Sequence, residues 1–276
     1  DIVAYARSHP DIDLLHFWLA DGSNNNCECP RCQESRPSDF YVMMLNELDA
    51  ALTEHAIPTR IVFLIYVDLL WPPSKERIRN PARFVLMFAP IARTYSQTFR
   101  ATAETPALPA YERNKLEFPR SVEANLAFLK AWQEVFAGDS FDFDYHLMWD
   151  HLNDPGHMQI AQTISEDIKG LKDIGLNGFV SCQIQRVFLP TGLAMTVMGK
   201  TLWNAQSDFG AITQDYFASA FGPEAVACQE YLTTLSALFD PAYLRGERNG
   251  AEENSVARLA KACDTIRAFM PVMQRN

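Results

Sequence analysis

Three aspartates stand at equivalent places in the chain, each just past a short apolar or aromatic run. They are Asp21 in Trp18-Leu19-Ala20-Asp21, Asp68 in Tyr66-Val67-Asp68, and Asp150 in His146-Leu147-Met148-Trp149-Asp150-His151. Aromatic side chains crowd the same places: Trp18, Tyr66, Trp71, Tyr145 and Trp149 lie within a few residues of them. Carboxylates among aromatic platforms suit glycosidic-bond chemistry. One protonated acid donates to the leaving oxygen, an ionised partner attacks or activates water, and the CH faces of a sugar stack on rings. An apolar wall would keep the acid protonated while its partner stays charged. Aspartate after a strand also caps turns and helices, so each of the three has a purely structural alternative.

Two further runs end in groups that can hold a substrate. Pro90-Ile91-Ala92-Arg93-Thr94-Tyr95 offers a cation and a phenol, and the segment after residue 182 offers Gln183, Gln185 and Arg186. Arg93 could pair bidentately with a substrate carboxylate, such as that of a uronic acid, or form a salt bridge with one of the aspartates. His146 alternates with Tyr145 and Leu147, which puts it on one strand face with Met148. There it either meets a sugar hydroxyl or sits in the core as a satisfied histidine.

Six cysteines are present, and three fall together in Cys27-Glu28-Cys29-Pro30-Arg31-Cys32. Three thiolates this close supply three ligands of a tetrahedral structural zinc, with a fourth from Cys182 or a histidine. A disulfide within the cluster and free thiols are the alternatives. The chemistry itself needs no cofactor, and the chain is too long for an even cysteine count to imply a disulfide framework.

These groups must be carried by strands and helices. Five apolar or aromatic runs, 14–19, 60–67, 84–89, 141–149 and 178–184, read as strands covered on both faces. Amphipathic helices fall between most of them. Ser38 is expected to cap one through His55, with Tyr41, Met44, Leu45, Leu48 and Leu52 inward. Ser121 is expected to cap a second, and a third runs from His157 to Asp173 with Ile160, Ile164, Ile168 and Leu171 in register. Beyond Pro190 only helical patterns occur, at 191–206, 213–221, 223–238 and 254–269. The segment from Tyr95 to Pro119 has no period and reads as a surface excursion.

Alternating strands and helices predict an α/β fold with a parallel sheet. No glycine-rich phosphate loop follows any strand, which disfavours a nucleotide-binding doubly wound sheet. The expected fold is therefore the C-terminal part, about five strands, of a (β/α)8 TIM-type barrel over 1–190. A helical extension over 191–276 packs on it. Because the chain opens at Asp1 within a helical pattern, the remaining strands are expected in an N-terminal part of the parent chain. A net charge of −10 with no Lys/Arg stripe argues against nucleic acid and anionic membranes as partners. The absence of any apolar run of membrane-spanning length argues against a transmembrane helix.

The run Trp18 to Cys32, WLADGSNNNCECPRC, with Pro37-Ser38-Asp39-Phe40 and Asn46-Glu47-Leu48, resembles a bacterial domain family of unknown function. That family occurs in polysaccharide-degrading bacteria, often after an α-glucuronidase-type N-terminal domain. Phe88-Ala89-Pro90-Ile91-Ala92-Arg93-Thr94-Tyr95 is similar to its Ala-Pro-x-x-Arg-x-Tyr segment. Trp203-Asn204, Asp215-Tyr216-Phe217 and Phe221-Gly222 are similar to its helical end. The resemblance implies a glycoside-hydrolase-like barrel and a carbohydrate substrate, with a secreted or periplasmic location if the substrate is a polymer; a non-catalytic carbohydrate-binding or scaffolding module and a zinc-stabilised interaction domain are the alternatives.

Overall fold

The computed structural model describes residues 1–101, 106–248 and 253–274. In chain order the strands are β1 (Leu14–His16), β2 (Arg60–Ile65), β3 (Phe84–Phe88), β4 (Asp139–Leu147) and β5 (Phe179–Gln183). The helices are α1 (Ile2–Ser8), α2 (Pro30–Gln33), α3 (Pro37–Glu54), α4 (Val122–Gln133) and α5 (Met158–Gly170), followed by α6 (Leu193–Trp203), α7 (Phe209–Phe221), α8 (Ala225–Phe239), α9 (Pro241–Leu244) and α10 (Glu253–Met273). The five strands form one parallel sheet in sequence order, an α/β arrangement consistent with part of a barrel. Register is set by Leu14 opposite Arg60, Ile61 opposite Phe84 and Val85 opposite Asp139. Among the described residues no helix is long and apolar enough to cross a membrane.

The described residues divide into two compact units that interleave along the chain. The first comprises Asp1–Thr94, Lys172–Val180 and the described part of Thr102–Asp144. The second comprises Tyr95–Ala101, Tyr145–Leu171 and the described part of Ser181–Asn276, so α5 through α10 all belong to it.

The first unit is organised around Phe63 on β2. Its ring meets Phe136 at 5.0 Å, Trp132 at 5.8 Å, Phe84 at 6.2 Å and Tyr41 at 6.3 Å between centroids. Such edge and tilted contacts add to the area these rings bury. Trp132 also donates its indole N–H to the carbonyls of Leu69 and Leu70, both at 3.0 Å. Tyr41 donates to the Phe17 carbonyl and accepts from the Leu64 N–H, fastening the end of β1 to β2. Burial raises the Tyr41 phenol well above its ordinary pKa. In the second unit α5 buries Ile160, Ile164 and Ile168, α6 buries Leu193 and Val197, and α8 buries Leu232, Leu235 and Leu238.

Two details of α3 differ from the sequence expectation. The helix begins two residues earlier, with Arg36 at the N-cap position and Pro37 at its first position, and Ser38 is buried inside it rather than capping it. The inward stripe runs through Tyr41, Val42, Leu45 and Leu52, while Met44 faces solvent. The cap comes from Asp39, one residue further on. Its carboxylate accepts from the backbone N–H of Arg36 and Lys75, each at 2.7 Å, from Glu76 N–H at 3.0 Å, and from Ser74 Oγ at 2.9 Å. Ser121 caps α4 as expected, accepting from Ala124 N–H at 3.1 Å.

Burial opposes the charge on Asp39, but its four donors outweigh burial and hold the carboxyl below its ordinary range. Asp39→Asn is therefore expected to destabilise the protein by about 2 kcal/mol, read as a lower urea midpoint at unchanged slope. A group with a depressed folded pKa stabilises above its unfolded value, 3.8 here, and loses that contribution as pH falls through the folded value. The gap between wild type and variant should accordingly narrow only below about pH 3.8.

Candidate functional site

In the first unit, Asp21 and Asp68 follow the C-terminal ends of the neighbouring parallel strands β1 and β2. Tyr66 joins them, donating its phenol to Asp21 Oδ1 at 3.0 Å. Asp68 is 6% exposed and accepts the Asn24 N–H on Oδ2 at 2.9 Å. Tyr66 and Asp68 both line a cleft of about 210 Å³ with Leu19, Gly22, Asn25 and Leu64. That is below the roughly 300–1,000 Å³ of drug-sized ligand sites and suits one small ring.

Between Tyr66 and Asp68, Val67 adopts φ +46°. A β-branched residue resists this left-handed backbone, at a cost on the order of 1–3 kcal/mol. The turn persists because both neighbours of Val67 are held and its own side chain packs with Leu70, Trp71, Leu116 and Phe128. The strained turn aims consecutive odd and even side chains into one cleft.

The loop from Gly22 to Ser35 is fastened to the distant segment 106–117. Asn24, itself at φ +56°, makes a reciprocal pair with Leu116: its amide donates to the Leu116 carbonyl at 3.1 Å and its oxygen accepts the Leu116 N–H at 2.6 Å. Asn114 accepts from Asn26 N–H at 2.8 Å and donates back to the Asn26 carbonyl at 2.8 Å and to Glu28 at 2.7 Å. Arg113 donates to the carbonyls of Cys32 and Ser35. The expected surface excursion is thus, over these residues, the outer clamp of the cleft loop. Trp71, named above as a sugar platform, is 6% exposed and gives its indole N–H to the Pro109 carbonyl at 2.8 Å, so it anchors that clamp.

Cys27, Cys29 and Cys32 sit on the same loop, with Cys29 capping the short helix α2. Their three sulfurs lie within 4.8 Å of one another and could hold a metal ion. The Cys32 N–H and the neighbouring thiols hold Cys29 below the ordinary thiol pKa, whereas its bond to Cys29 pushes Cys32 up to about 11. Cys182, considered above as a fourth ligand, belongs to the second unit and directs its thiol at the Met148 sulfur, 3.7 Å away.

Arg93 and Asp144 form an ion pair at 3.1 Å in the first unit, both side chains fully buried. Arg93 does not line the cleft, and its charge faces a carboxylate of the protein itself. Of the aromatic residues expected at a substrate surface, Trp18 is 47% exposed and packs edge-on to Phe143.

In the second unit, Asp150 is 4% exposed and paired with Arg245. Arg245 also reaches Glu247 at 3.1 Å and Ser96 at 3.0 Å, and lies 5.9 Å above the Tyr95 ring. Tyr95 is 1% exposed, accepts the Tyr145 N–H and packs on His146. His146 is fully buried and bonds Asp167 through Nε2 at 2.8 Å, while Asp167 accepts the Phe99 N–H at 2.7 Å. Trp149, 41% exposed, stacks on Tyr145, and Gln183 is exposed at the end of β5.

Strand β4 buries polar groups where a core strand normally buries apolar ones. Ser140, Asp142, Asp144 and His146 are all buried and alternate with Phe141, Phe143 and Tyr145, so one strand face is polar throughout. The Asp-x-Asp-x-His spacing that shows this is plain in the sequence, although only His146 drew notice there. The clamp residues Asn24, Asn114 and Arg113 carried no comparable signal beyond the tolerance of asparagine for left-handed backbone, seen at both Asn24 and Asn114.

No protein-family model matches the chain, and no curated protein or solved structure is detectably similar to it.

The surroundings of Asp150 set a test of its role. If its carboxylate serves to neutralise Arg245, Arg245→Ala leaves a buried charge uncompensated and should cost about 3–5 kcal/mol. The double variant Asp150→Asn/Arg245→Ala should be clearly less unstable than the sum of the single ones in urea titrations. Additive losses would remove the pairing as the reason for Asp150.

Proposed function

We propose that this protein is glycoside-hydrolase-like and acts on a polysaccharide or oligosaccharide, with Asp21 and Asp68 as its acid/base carboxylates. The observation that carries the reading is the strained turn at Val67, which presents Tyr66 and Asp68 to one cleft while Tyr66 bonds Asp21. Asp68 on the cleft wall, and Asp21 one hydrogen bond behind the Tyr66 phenol that also lines it, would supply the two carboxylates that glycosidic-bond cleavage requires. An exposed Trp18 on the loop leading to Asp21 offers a stacking surface for a sugar ring. The five parallel strands are read as part of a (β/α)8 barrel, whose active sites lie at strand C-terminal ends.

Asp150 is left out of the acid/base pair because Arg245 engages it. The uronic-acid preference loses the guanidinium on which it rested, since Arg93 faces Asp144. The three loop thiols fit a structural zinc. A tetrahedral zinc with bonds of about 2.3 Å holds its sulfurs roughly 3.8 Å apart, so thiols already within 4.8 Å need little movement. The ion would brace the loop and take no part in bond cleavage.

Screening the intact protein against polysaccharides and aryl glycosides is expected to find turnover that Asp68→Asn and Asp21→Asn each lower by about a thousandfold or more, with substrate binding retained. Glycan binding without turnover, unchanged in both variants, would leave a carbohydrate-binding module instead. Neither binding nor turnover on any glycan would overturn the carbohydrate reading altogether.

A further inference from the structure

We infer that metal occupancy at Cys27, Cys29 and Cys32 sets the shape of the cleft, with the Asn24–Asp68 hydrogen bond as the connection. The inference rests on the reading of the three thiols as a zinc site and does not depend on which ligand the cleft takes.

The loop has fixed points at both ends and one adjustable region between them. At one end, Asn24 is tied to Asp68 and, twice, to Leu116. At the other, Arg113 grips the carbonyls of Cys32 and Ser35. Between these points lie Asn25 and Asn26, which line the cleft, and Cys27, the first thiol. Cys27 is exposed. On one side of it Asn114 holds the Asn26 backbone and bonds the Glu28 carboxylate, and on the other Gln33 of α2 donates to the Glu28 carbonyl at 2.8 Å. A metal shared by the thiols of Cys27, Cys29 and Cys32 would add coordinate bonds to the single Gln33–Glu28 hydrogen bond that now ties this region to the α2 end held by Arg113.

Binding releases any thiol protons to solvent and leaves three thiolates on one divalent ion, with no change of oxidation state. Because the sulfurs are soft and compact, a thiophilic ion of the zinc class fits, and hard oxygen-seeking ions such as magnesium do not. Three protein ligands also leave a fourth position, which water can fill on an exposed loop. With the ion bound, Asn25 and Asn26 are held as the cleft wall and Asn24 N–H stays on Asp68. Without it, the wall keeps only hydrogen bonds that water can replace.

The test compares the reduced intact protein loaded with one equivalent of zinc and the same protein stripped by chelator. Metal content and backbone hydrogen exchange are measured together. Zinc is expected to slow exchange in segments 22–33 and 110–117 by roughly tenfold or more, and to leave helix α8 unchanged. Cys27→Ser should show the stripped pattern in 22–27 even in zinc-containing buffer, while Cys228→Ser, in the second unit, should behave as wild type. Zinc that binds without altering exchange at 22–27 overturns the inference. A reduced protein that binds no zinc overturns both the inference and the metal reading. So does a Cys29–Cys32 disulfide that protects the loop with no metal present. Coupled zinc binding in a protein that cleaves and binds no glycan leaves the inference standing and removes the carbohydrate reading.

Discussion

The cleft of the first unit depends on one hydrogen bond, from the Asn24 backbone N–H to the Asp68 carboxylate. It joins the loop after β1 to the turn after β2, and each side is otherwise in an unfavourable state. Asn24 and Val67 both hold left-handed backbone, and Asp68 is a carboxylate almost removed from solvent. An isolated buried carboxylate is costly, and a backbone donor offsets part of that cost. The strain at Val67 is stored because packing against Trp71, Leu116 and Phe128 leaves the turn no alternative. The Tyr66–Asp21 hydrogen bond is the second tie between the same two strand ends.

Elsewhere three buried carboxylates are paired with a basic group of the protein itself. Arg93 meets Asp144, His146 meets Asp167, and Asp150 meets Arg245. Pairs of this kind contribute little net stability relative to apolar side chains, yet breaking one leaves a charge without compensation. They therefore fix position more than they add stability. That division separates the aspartates whose charge is spent inside the fold from Asp68, which still lines the cleft.

The strands were legible in the sequence as short apolar runs bounded by polar residues, glycine or proline; β2 and β3 are covered on both faces as expected, whereas β1 and β5 are half-buried or exposed along their length. All five expected runs contain a strand, each ending or starting a few residues from the expected point. Beta-structure stops early after His16 and Ile65 because the chain turns there to build the cleft, so the apolar residues Leu19 and Val67 that extended the pattern belong to the site instead. Site residues were legible where chemistry is written in residue type, as for Asp21, Asp68 and the three cysteines. What pairs with what was not. Nothing near Asp150 in sequence points to Arg245, and nothing near Arg93 points to Asp144, because those partners are supplied by packing. Val42 is covered in α3 where Met44 was expected to be, because a helical stripe allows neighbouring positions and only the packing partner decides which is covered.

The clamp on the cleft loop spans long stretches of chain. Asn24 and Leu116 are 92 residues apart, Asn26 and Asn114 are 88, and Arg113 and Cys32 are 81. Contacts of such separation close late, after local helices and adjacent strands have formed. During synthesis at about 5–20 residues per second, the partner of Asn24 emerges roughly 5–18 s after it. Cys27, Cys29 and Cys32, by contrast, are complete within six residues of chain. The nascent protein thus owns its three thiols well before the segment that will hold them in place, so the loop is first met by whatever metals and oxidants its surroundings contain.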